Sequence, residues 1–275
     1  MEEKVNSYKI VWWNTSLCPP VNKQIQLPSN SEGIKREICN LIDENDMVIL
    51  GEYQPVPEIQ QSILENSVVD WLDLNDCIDK IFFRNGIFYK TNKIALDDYV
   101  NITAVKTNPR QNYRISQKLY ANFISCNTLF CFYVIHWRSP AANHESIKCQ
   151  VAMRLWEDIE DELNTASDRN IICIGDFNIE PFSDVFPVLD SSRHLDYVKQ
   201  RGGFYNPFWR FLHNSGTIKY TNNETKCLYP LFDQILINHS IVINDRISFL
   251  AEILPLEIDV IKGQHYPIRL TLNIK

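Results

Sequence analysis

The sequence predicts an α/β chain of the α+β type, in which two mixed β-sheets pack face to face and helices cover the outside. Three observations predict this fold class. Short apolar runs of strand length recur along the chain, and several are apolar on both faces. Two amphipathic segments with helical spacing lie between these runs. Several runs follow one another with only a turn between them, which favours a two-sheet sandwich over an alternating parallel βαβ fold.

The strands are predicted from the apolar runs and from the turn signals between them. The dipeptide Asn85-Gly86, within 80–90, predicts one hairpin, because it suits a two-residue turn. A second hairpin is predicted over 118–137, with its turn near 126–128. The predicted strands cover 8–13, 47–50, 80–83, 129–135, 171–175, 232–237 and 268–272.

Two segments have the spacing of amphipathic helices. Between 146 and 163, apolar residues recur every four positions from Ile147 to Leu163, with acidic residues elsewhere, so this helix is expected to cover a sheet. Between 31 and 44, Ile34 and Ile38 belong to a weaker apolar stripe, and Ser31 is a candidate N-cap.

Composition limits the class of protein. The chain has 275 residues, 45% of them apolar and 22% charged, with 8 Gly and 13 Pro, so the collagen-like and disordered classes are excluded. One domain spanning 1–275 is expected at this length, without linker or repeat. The formal charge of -7 argues against coating duplex nucleic acid by bulk electrostatics, and a local basic groove stays open as an alternative.

Cysteine usage and hydropathy predict a cytoplasmic protein. The 8 cysteines lie far apart, and several lie inside apolar runs, so buried free thiols in a reducing compartment are expected; a zinc site or a disulfide framework is the alternative. No run reaches the roughly 18–20 apolar residues of a membrane helix. The first residues are too charged for a signal peptide. We therefore expect no membrane contact, and nothing in the sequence implies an obligate protein partner.

Polar residues that can bind a metal ion or take part in hydrolysis lie at the ends of several predicted strands. Taken singly, an Asn or Asp there is most often a turn former, and a lone His is most often a satisfied semi-buried side chain. Asp233 differs, because a carboxylate within an apolar strand needs a partner that offsets its desolvation, and a histidine is a natural one. The set comprises Asn14, Glu52, His136, Asp176, Asn178, Asp233 and His265.

As a series, these residues resemble the motifs of the endonuclease/exonuclease/phosphatase family, which has the deoxyribonuclease I-like fold. The matching segments span nearly the whole chain: WWN at 12–14, GEYQ at 51–54, HWRS at 136–139, GDFN at 175–178, FDQILI at 232–237 and GQH at 263–265. The resemblance implies a four-layered α/β/β/α sandwich. One position departs from the pattern, because Gln264 stands where the family's final motif has Asp before His.

The resemblance also implies a divalent cofactor, Mg²⁺ or Mn²⁺, for phosphodiester hydrolysis. Glu52 would be the carboxylate ligand of this metal, and Asn14 would help to hold both the metal and the phosphate. Gln264 would contribute an amide oxygen, which coordinates a cation without adding negative charge and cannot act as a base.

The resemblance assigns the remaining residues to catalysis. Asp176 and Asn178 would orient the attacking water and steady the pentacovalent phosphorus. Asp233 would hydrogen-bond His265 and raise its pKa, so that this histidine acts as a general base or as a charged donor to the phosphate. His136 would donate to a nonbridging oxygen. Whether Asp176 or His265 accepts the proton of the water stays open.

Charge distribution indicates the substrate. The window 101–120 holds Lys106, Arg110 and two further cations with no acidic residue, and 191–220 holds five cations against one acidic residue. Aromatic residues lie among the cations of the second window, where they either stack on bases or anchor a packed loop. The predicted substrate-binding residues are Arg114, Arg138, Tyr205, Asn206, Trp209 and Arg210.

A nuclease acting on DNA or RNA is the favoured function, with nucleic acid as its partner, because an extended cationic rim suits a polyanion. A phosphatase or phosphodiesterase for a small molecule or an inositol lipid is the first alternative, since a compact cation cluster would serve it. A nucleic-acid-binding derivative with impaired catalysis is the second, and Gln264 is the reason to consider it. The other site residues are all present, which favours an enzyme.

Overall fold

The computed structural model describes residues 5–18, 29–64, 68–107, 110–139, 145–212, 216–222, 226–228, 230–258 and 264–275. Within them the helices are α1 (Ser31–Glu44), α2 (Pro57–Leu64), α3 (Glu145–Thr165), α4 (Leu195–Arg201) and α5 (His239–Val242). The strands are β1 (Asn6–Asn14), β2 (Met47–Gly51), β3 (Val69–Asp73), β4 (Asp76–Ile78), β5 (Ile81–Phe83), β6 (Asn85–Lys90), β7 (Ile94–Thr107), β8 (Arg110–Phe123), β9 (Thr128–His136), β10 (Asn170–Asp176), β11 (Ser191–Ser192), β12 (Phe204–Tyr205), β13 (Tyr220–Asn222), β14 (Lys226–Leu228), β15 (Asp233–Asn238), β16 (Ile247–Ile253) and β17 (Ile268–Ile274).

Most strands belong to two sheets that pack against each other. The six-stranded sheet has the order β16-β17-β1-β2-β6-β3, and the seven-stranded sheet has the order β11-β12-β15-β10-β9-β8-β7. Both sheets are mixed, since β1 pairs parallel with β2 and antiparallel with β17, while β10 pairs parallel with β9 and antiparallel with β15. The predicted fold class, two mixed sheets flanked by helices, is confirmed.

Alternation of side chains along the strands produces four layers. In β1, Ile10 and Trp12 belong to the core between the sheets, whereas Val11 and Trp13 pack with α1 on the outer face. Strands β9 and β10 alternate in the same way between the central core and α3. Because these central strands are covered on both faces, their sequences read as continuous apolar runs. The layers are α1, the six-stranded sheet, the seven-stranded sheet and α3.

Strand register brings polar residues to one end of the sandwich. The parallel pairing of β1 with β2 sets Asn14 opposite Gly51. In the other sheet, β9 sets His136 opposite Asp176 of β10, and β15 sets Asp233 opposite the same aspartate. The parallel strands of each sheet therefore end together, and β15 begins where β10 ends.

The two predicted helices and one of the two predicted hairpins are confirmed. Strands β8 and β9 pair antiparallel, with Phe123 opposite Thr128 and a left-handed residue, Asn127, at the turn. The N-cap prediction for Ser31 is wrong, because Asn30 occupies the cap position and its side chain makes no cap hydrogen bond. No described helix is long and apolar enough to cross a bilayer.

The hairpin predicted at Asn85-Gly86 is also wrong. Strand β5 pairs with β4, whereas β6 pairs with β2 and β3. The two residues serve other purposes: the buried side chain of Asn85 donates to Oε1 of Gln117 at 2.7 Å, which joins the two sheets. The ring of Trp71 fills the space where a Cβ on Gly86 would lie. A short-range turn signal is here overridden by tertiary packing.

Candidate active site

Side chains from the two sheets meet at the shared end of the sandwich. Nδ2 of Asn14, at the end of β1, lies 3.5 Å from Oδ2 of Asp176, at the end of β10. Glu52 directly follows β2, and its Oε1 lies 3.5 Å from Nε2 of His136, at the end of β9. The structure thus brings together residues that are far apart in sequence.

Asp233 and His265 form the tightest contact of the site. Nδ1 of His265 lies 2.6 Å from Oδ2 of Asp233, and both side chains are almost fully buried. Burial alone would lower the pKa of His265, but the charge of Asp233 and its hydrogen bond outweigh burial and raise this pKa to about 9. The imidazole is therefore protonated at neutral pH, with its Nδ1–H donated to the carboxylate.

Trp12 is a site residue that sequence reasoning missed. Its indole Nε1–H donates to Oδ1 of Asp233 at 2.7 Å, so the two oxygens of this carboxylate have different donors. Its ring lies against Gly51, where a Cβ would approach a ring carbon to 2.5 Å. The ring also stands edge-on to His136, with centroids 6.2 Å apart. The sequence carried one usable signal, since Trp12 is on the inward face of β1, two positions before Asn14.

Asp176 is held at the end of β10 by its own turn. Gly175 before it has φ 146°, and a Cβ there would lie 1.9 Å from a backbone oxygen of β9, so only glycine fits. Asn178, with φ 52°, donates its backbone N–H to Oδ1 and its Nδ2–H to Oδ2 of Asp176, both at 2.8 Å. Burial and then the charge of Asp233 raise the pKa of Asp176 to about 7.

Glu52 and His136 form a second acid–histidine pair with the opposite electrostatic outcome. Burial, and then the nearby Arg114 guanidinium, lower the pKa of His136 to about 4, so this imidazole is neutral at pH 7. Although burial acts to raise the pKa of Glu52, the hydrogen bond of His136 holds it below its usual range. Among the described residues, Nδ1 of His136 has no hydrogen-bond partner.

The donor atoms of the site suit a hard divalent cation. Asp176, Asp233 and His265 each offer a ligand atom within 4.8 Å of the others. Asp233 and His265 bind each other, however, whereas the Glu52 carboxylate keeps 17% of its side-chain surface exposed. The oxygens of Glu52, Asp176 and Asn14 are the ligand type that Mg²⁺ and Mn²⁺ prefer. The residues present therefore fit the cofactor.

Gln264 points its amide at the residue before α1. Its Oε1 accepts from Nδ2 of Asn30 at 2.8 Å, and its Nε2 donates to Oδ1 of Asn30 at 2.7 Å. The two amides form a closed, reciprocal pair, and Gln264 is buried. The neutral amide at this position thus binds a loop of the protein, and this pairing is available only to an amide.

Two of the predicted substrate-binding residues, Arg114 and Arg138, contact other parts of the protein. Arg114 is buried in β8 and donates to the backbone oxygens of His136 and Phe82. Burial lowers its pKa to about 10, so it remains charged at neutral pH. The Arg138 guanidinium lies over the ring of Tyr113, 5.6 Å from its centroid. Arg114 is therefore a fixed charge behind the site and not part of its rim.

The predicted substrate-binding residues of the second window are likewise engaged by the fold. Asn206 is buried and donates to Oε1 of Gln234 at 2.8 Å. Tyr205 lies in β12, which pairs with the end of β15 that is remote from the site. The Arg210 guanidinium donates to a backbone oxygen of the edge strand β16, and another guanidinium covers the ring of Trp209 at 5.1 Å.

The first cationic window is only partly described. The side chains of Lys106 and Arg110 lie outside the described residues, as does Gly263 of the GQH motif. Lys118 pairs with Asp158 of α3 at 2.8 Å, on the outer face of the seven-stranded sheet. Lys118 is therefore directed away from the site.

Comparison with known proteins identifies relatives of the fold. The sequence profile of the Endonuclease/Exonuclease/phosphatase family matches residues 75–261, and no curated protein matches the chain. The human Nocturnin catalytic domain with bound sulfate is 14% identical with a TM-score of 0.68, covering 98% of this chain and 95% of that one. The Bacteroides thetaiotaomicron mannosyl-6-phosphatase is 12% identical with a TM-score of 0.65, covering 96% and 99%. TDP2 of D. rerio, complexed with a single-strand DNA product, is 13% identical with a TM-score of 0.59, covering 97% and 99%. At these identities the likeness shows the fold.

The indole donor of Trp12 can be tested by Trp12→Phe. The change leaves a buried carboxylate oxygen without its donor, which costs about 1–3 kcal/mol of unfolding free energy, and it makes the Asp233 carboxylate more basic. We therefore expect the pKa of His265, followed by NMR in EDTA, to rise. The matched control is Trp13→Phe, because Trp13 donates to the backbone oxygen of His265 at 2.9 Å and not to the carboxylate. A rise of the His265 pKa in both variants, or in neither, would contradict the role of Trp12.

The Asp233–His265 pair predicts a pH dependence of stability. The folded-state pKa of His265, about 9, lies above the value near 6.5 of an unfolded histidine. The pair therefore stabilises the protein fully below pH 6.5. This contribution, on the order of 3 kcal/mol, is lost as pH rises through 9. Asp233→Asn should remove this loss of stability between low and high pH. The measurement is the free energy of unfolding by denaturant at pH 6.5 and at pH 9.5, in EDTA. Equal pH slopes for the wild type and the variant would refute the assignment.

Proposed function

The chain belongs to the endonuclease/exonuclease/phosphatase family, and on this premise we propose that it is a Mg²⁺- or Mn²⁺-dependent phosphodiesterase that hydrolyses nucleic-acid phosphodiester bonds by attack of water. The observation that carries the proposal is the position of Asp176, which lies between two asparagines and the Asp233–His265 pair. One neighbour of the fold, TDP2, was crystallised with a single-strand DNA product.

Asp176 is our candidate for the group that accepts the proton of the attacking water. Its pKa of about 7 lies close to the operating pH, where a general base is most effective. Asn178 and Asn14 fix the orientation of its carboxylate through their amide hydrogens. The carboxylate is therefore presented to the water in one geometry, which lowers the entropic cost of attack.

His265 serves as a charged hydrogen-bond donor to the phosphoryl oxygens. Its Nδ1–H is donated to Asp233, so a positive charge is held at the site, and Nε2–H is the donor that we assign to the substrate. This role differs from that of a general base, because an imidazole with a pKa of about 9 is already protonated at neutral pH. In this proposal Asp176 accepts the proton of the water, and His265 donates to the phosphate.

Glu52 is our candidate metal ligand, with Asn14 as a further oxygen donor. The bound cation would neutralise charge that develops on the phosphoryl oxygens. Because Nε2 of His136 lies 3.5 Å from Oε1 of Glu52, we assign His136 the role of positioning this carboxylate, where the sequence led us to expect a direct phosphate contact. Gln264, bound to Asn30, is not included in this set.

The second candidate is a phosphatase that acts on a small phosphate ester or an inositol lipid. Two observations favour it: a mannosyl-6-phosphatase shares the fold, and the predicted substrate-binding arginine Arg114 is buried and donates to backbone oxygens. A binding protein with impaired catalysis is disfavoured, because the residues proposed for proton transfer and metal binding are close together.

The setting we propose is a reducing one, the cytoplasm, with the chain folded as a single domain. The seven cysteines whose side chains are described are free thiols, and three of them are buried. Buried thiols persist where disulfides are kept reduced.

Two substitutions test the hydrolase proposal. Asp176→Asn and Glu52→Gln should each lower metal-dependent turnover of a phosphodiester by about 10²–10⁴-fold, since one removes the base and the other the metal ligand. Asp176→Asn sets an amide N–H against a donor of Asn178, so it should cost about 1–3 kcal/mol of unfolding free energy and still leave the protein folded, which its melting temperature checks. The matched control is Asp245→Asn, a carboxylate to amide change at an exposed loop position. The substrates to assay are plasmid, single strands, RNA and inositol phosphates. Full turnover in either site variant would contradict the proposal.

Gln264 offers a separate test of the amide pair. In the wild type, Nε2 of Gln264 donates to Oδ1 of Asn30. Gln264→Glu replaces this donor by a carboxylate oxygen, so two acceptors face each other. The unpaired acceptor should cost about 1–3 kcal/mol of unfolding free energy. Gln264→Asp adds the family's carboxylate with a shorter side chain, and we expect it to raise activity or broaden metal preference. A tenfold loss of activity in Gln264→Asp, without loss of folding, would mean that the site requires the amide.

A further inference from the structure

A groove of about 450 Å³ opens beside the candidate site and has no role in the mechanism above. It follows the loop after β10 and reaches the residue before β15. Its lining includes Lys148, Asn178, Glu180, Phe182, Asp184 and Phe232. The volume falls within the range of pockets that bind small organic groups.

The groove is continuous with the proposed reaction centre. Asn178, which holds Asp176 by two hydrogen bonds, lines it directly. Phe232, the neighbour of Asp233, lines it as well, and its backbone oxygen accepts from Phe177 at 2.9 Å. A group attached to a phosphate at Asp176 can therefore extend into this groove.

The chemistry of the groove does not suit a second phosphate. Its lining has two carboxylates, Glu180 and Asp184, against one cation, Lys148. The Lys148 ammonium donates to the backbone oxygen of Asn178, so it supports the loop that follows β10. A polyphosphorylated ligand would bring further negative charge to an already acidic surface, which opposes binding.

The same groove suits a flat, uncharged ring with N–H donors. Phe182 has 60% of its surface exposed, which is unusual for a large apolar side chain and leaves a ring face free for stacking. The carboxylate of Asp184 is exposed, and Glu180 is half-buried with one oxygen accepting from the Leu231 N–H at 3.1 Å. Aromatic rings stack on all nucleobases, and carboxylates accept from exocyclic amino groups.

We propose that this groove binds the nucleobase of a nucleotide that adjoins the cleaved phosphate, with the base stacked on Phe182. The inference rests on the proposed function and specifies its substrate class as single-stranded or frayed nucleic acid. Inositol polyphosphates fit this groove less well, because they have no flat aromatic ring to stack on Phe182 and would bring phosphates to Glu180 and Asp184.

The cleavage test compares two oligonucleotides that differ only in one base. One strand is intact, and the other has an abasic nucleotide next to the cleaved bond. The wild type should cut the intact strand with a higher kcat/KM, and Phe182→Ala should lower this value by roughly 5- to 100-fold, the equivalent of one lost stack. Phe182→Ala should not change kcat/KM for the abasic strand, and Phe182→Tyr should restore the preference.

Tyr197→Ala is the matched control, since Tyr197 is an aromatic residue of α4 with 50% of its surface exposed and does not line the groove. It should leave both strands unaffected. Equal cleavage of the two strands by the wild type would overturn the proposal, as would an equal loss on both strands in Phe182→Ala.

A binding measurement separates this proposal from the proposed function. A single strand carrying 2-aminopurine is titrated with the protein in Ca²⁺, and stacking on Phe182 should quench its fluorescence. If no oligonucleotide is cut, the hydrolase proposal fails, yet quenching that disappears in Phe182→Ala would still support the groove. Equal quenching by the wild type and Phe182→Ala, or no quenching at all, would reject the groove whatever the activity.

Discussion

The carboxylate of Asp233 has no exposed surface, and the arrangement of the site follows from the need to pair it. A buried charge is tolerated only when hydrogen bonds replace its lost water. Here the donors are the indole of Trp12, from the opposite sheet, and the imidazole of His265, from the segment before the last strand. Closing this one contact therefore fixes three distant parts of the chain relative to each other, and the end of β10 lies between them.

The two histidines of the site show how position decides function for the same side chain. Both are buried, which by itself disfavours the charged imidazole. His265 faces the carboxylate of Asp233 at 2.6 Å and stays protonated, whereas His136 contacts Glu52 at 3.5 Å beside the Arg114 guanidinium and stays neutral. Opposite pKa shifts within one site allow a fixed positive donor and a neutral positioning group to coexist at the same pH.

Much of the fold and of the site could be predicted from the sequence, because buried central strands leave continuous apolar runs and because the residues at their ends are constrained by register. Asp176 and His136 follow from this logic. The position of Trp12 on the inward face of β1 could be predicted, but its bond to Asp233 could not, since this contact depends on how the two sheets face each other. The hairpin predicted at Asn85-Gly86 was wrong for the same reason. The turn propensity of this dipeptide is a local property, whereas the hydrogen bond of Asn85 to Gln117 joins the two sheets.

Arg114 shows that a cation counted within a basic window of the sequence need not lie on the surface of the protein. The window containing it reads as a basic stripe, yet its guanidinium is buried and binds the backbone oxygens of His136 and Phe82. A charge held in a low-dielectric interior is screened less by water and salt than one on a rim. It therefore acts on Glu52 and Asp176 from behind, through its charge and not through a contact. In a chain of net charge -7, the guanidinium of Arg114 and the imidazolium of His265 are therefore two positive charges that the fold holds, buried, at this end of the sandwich.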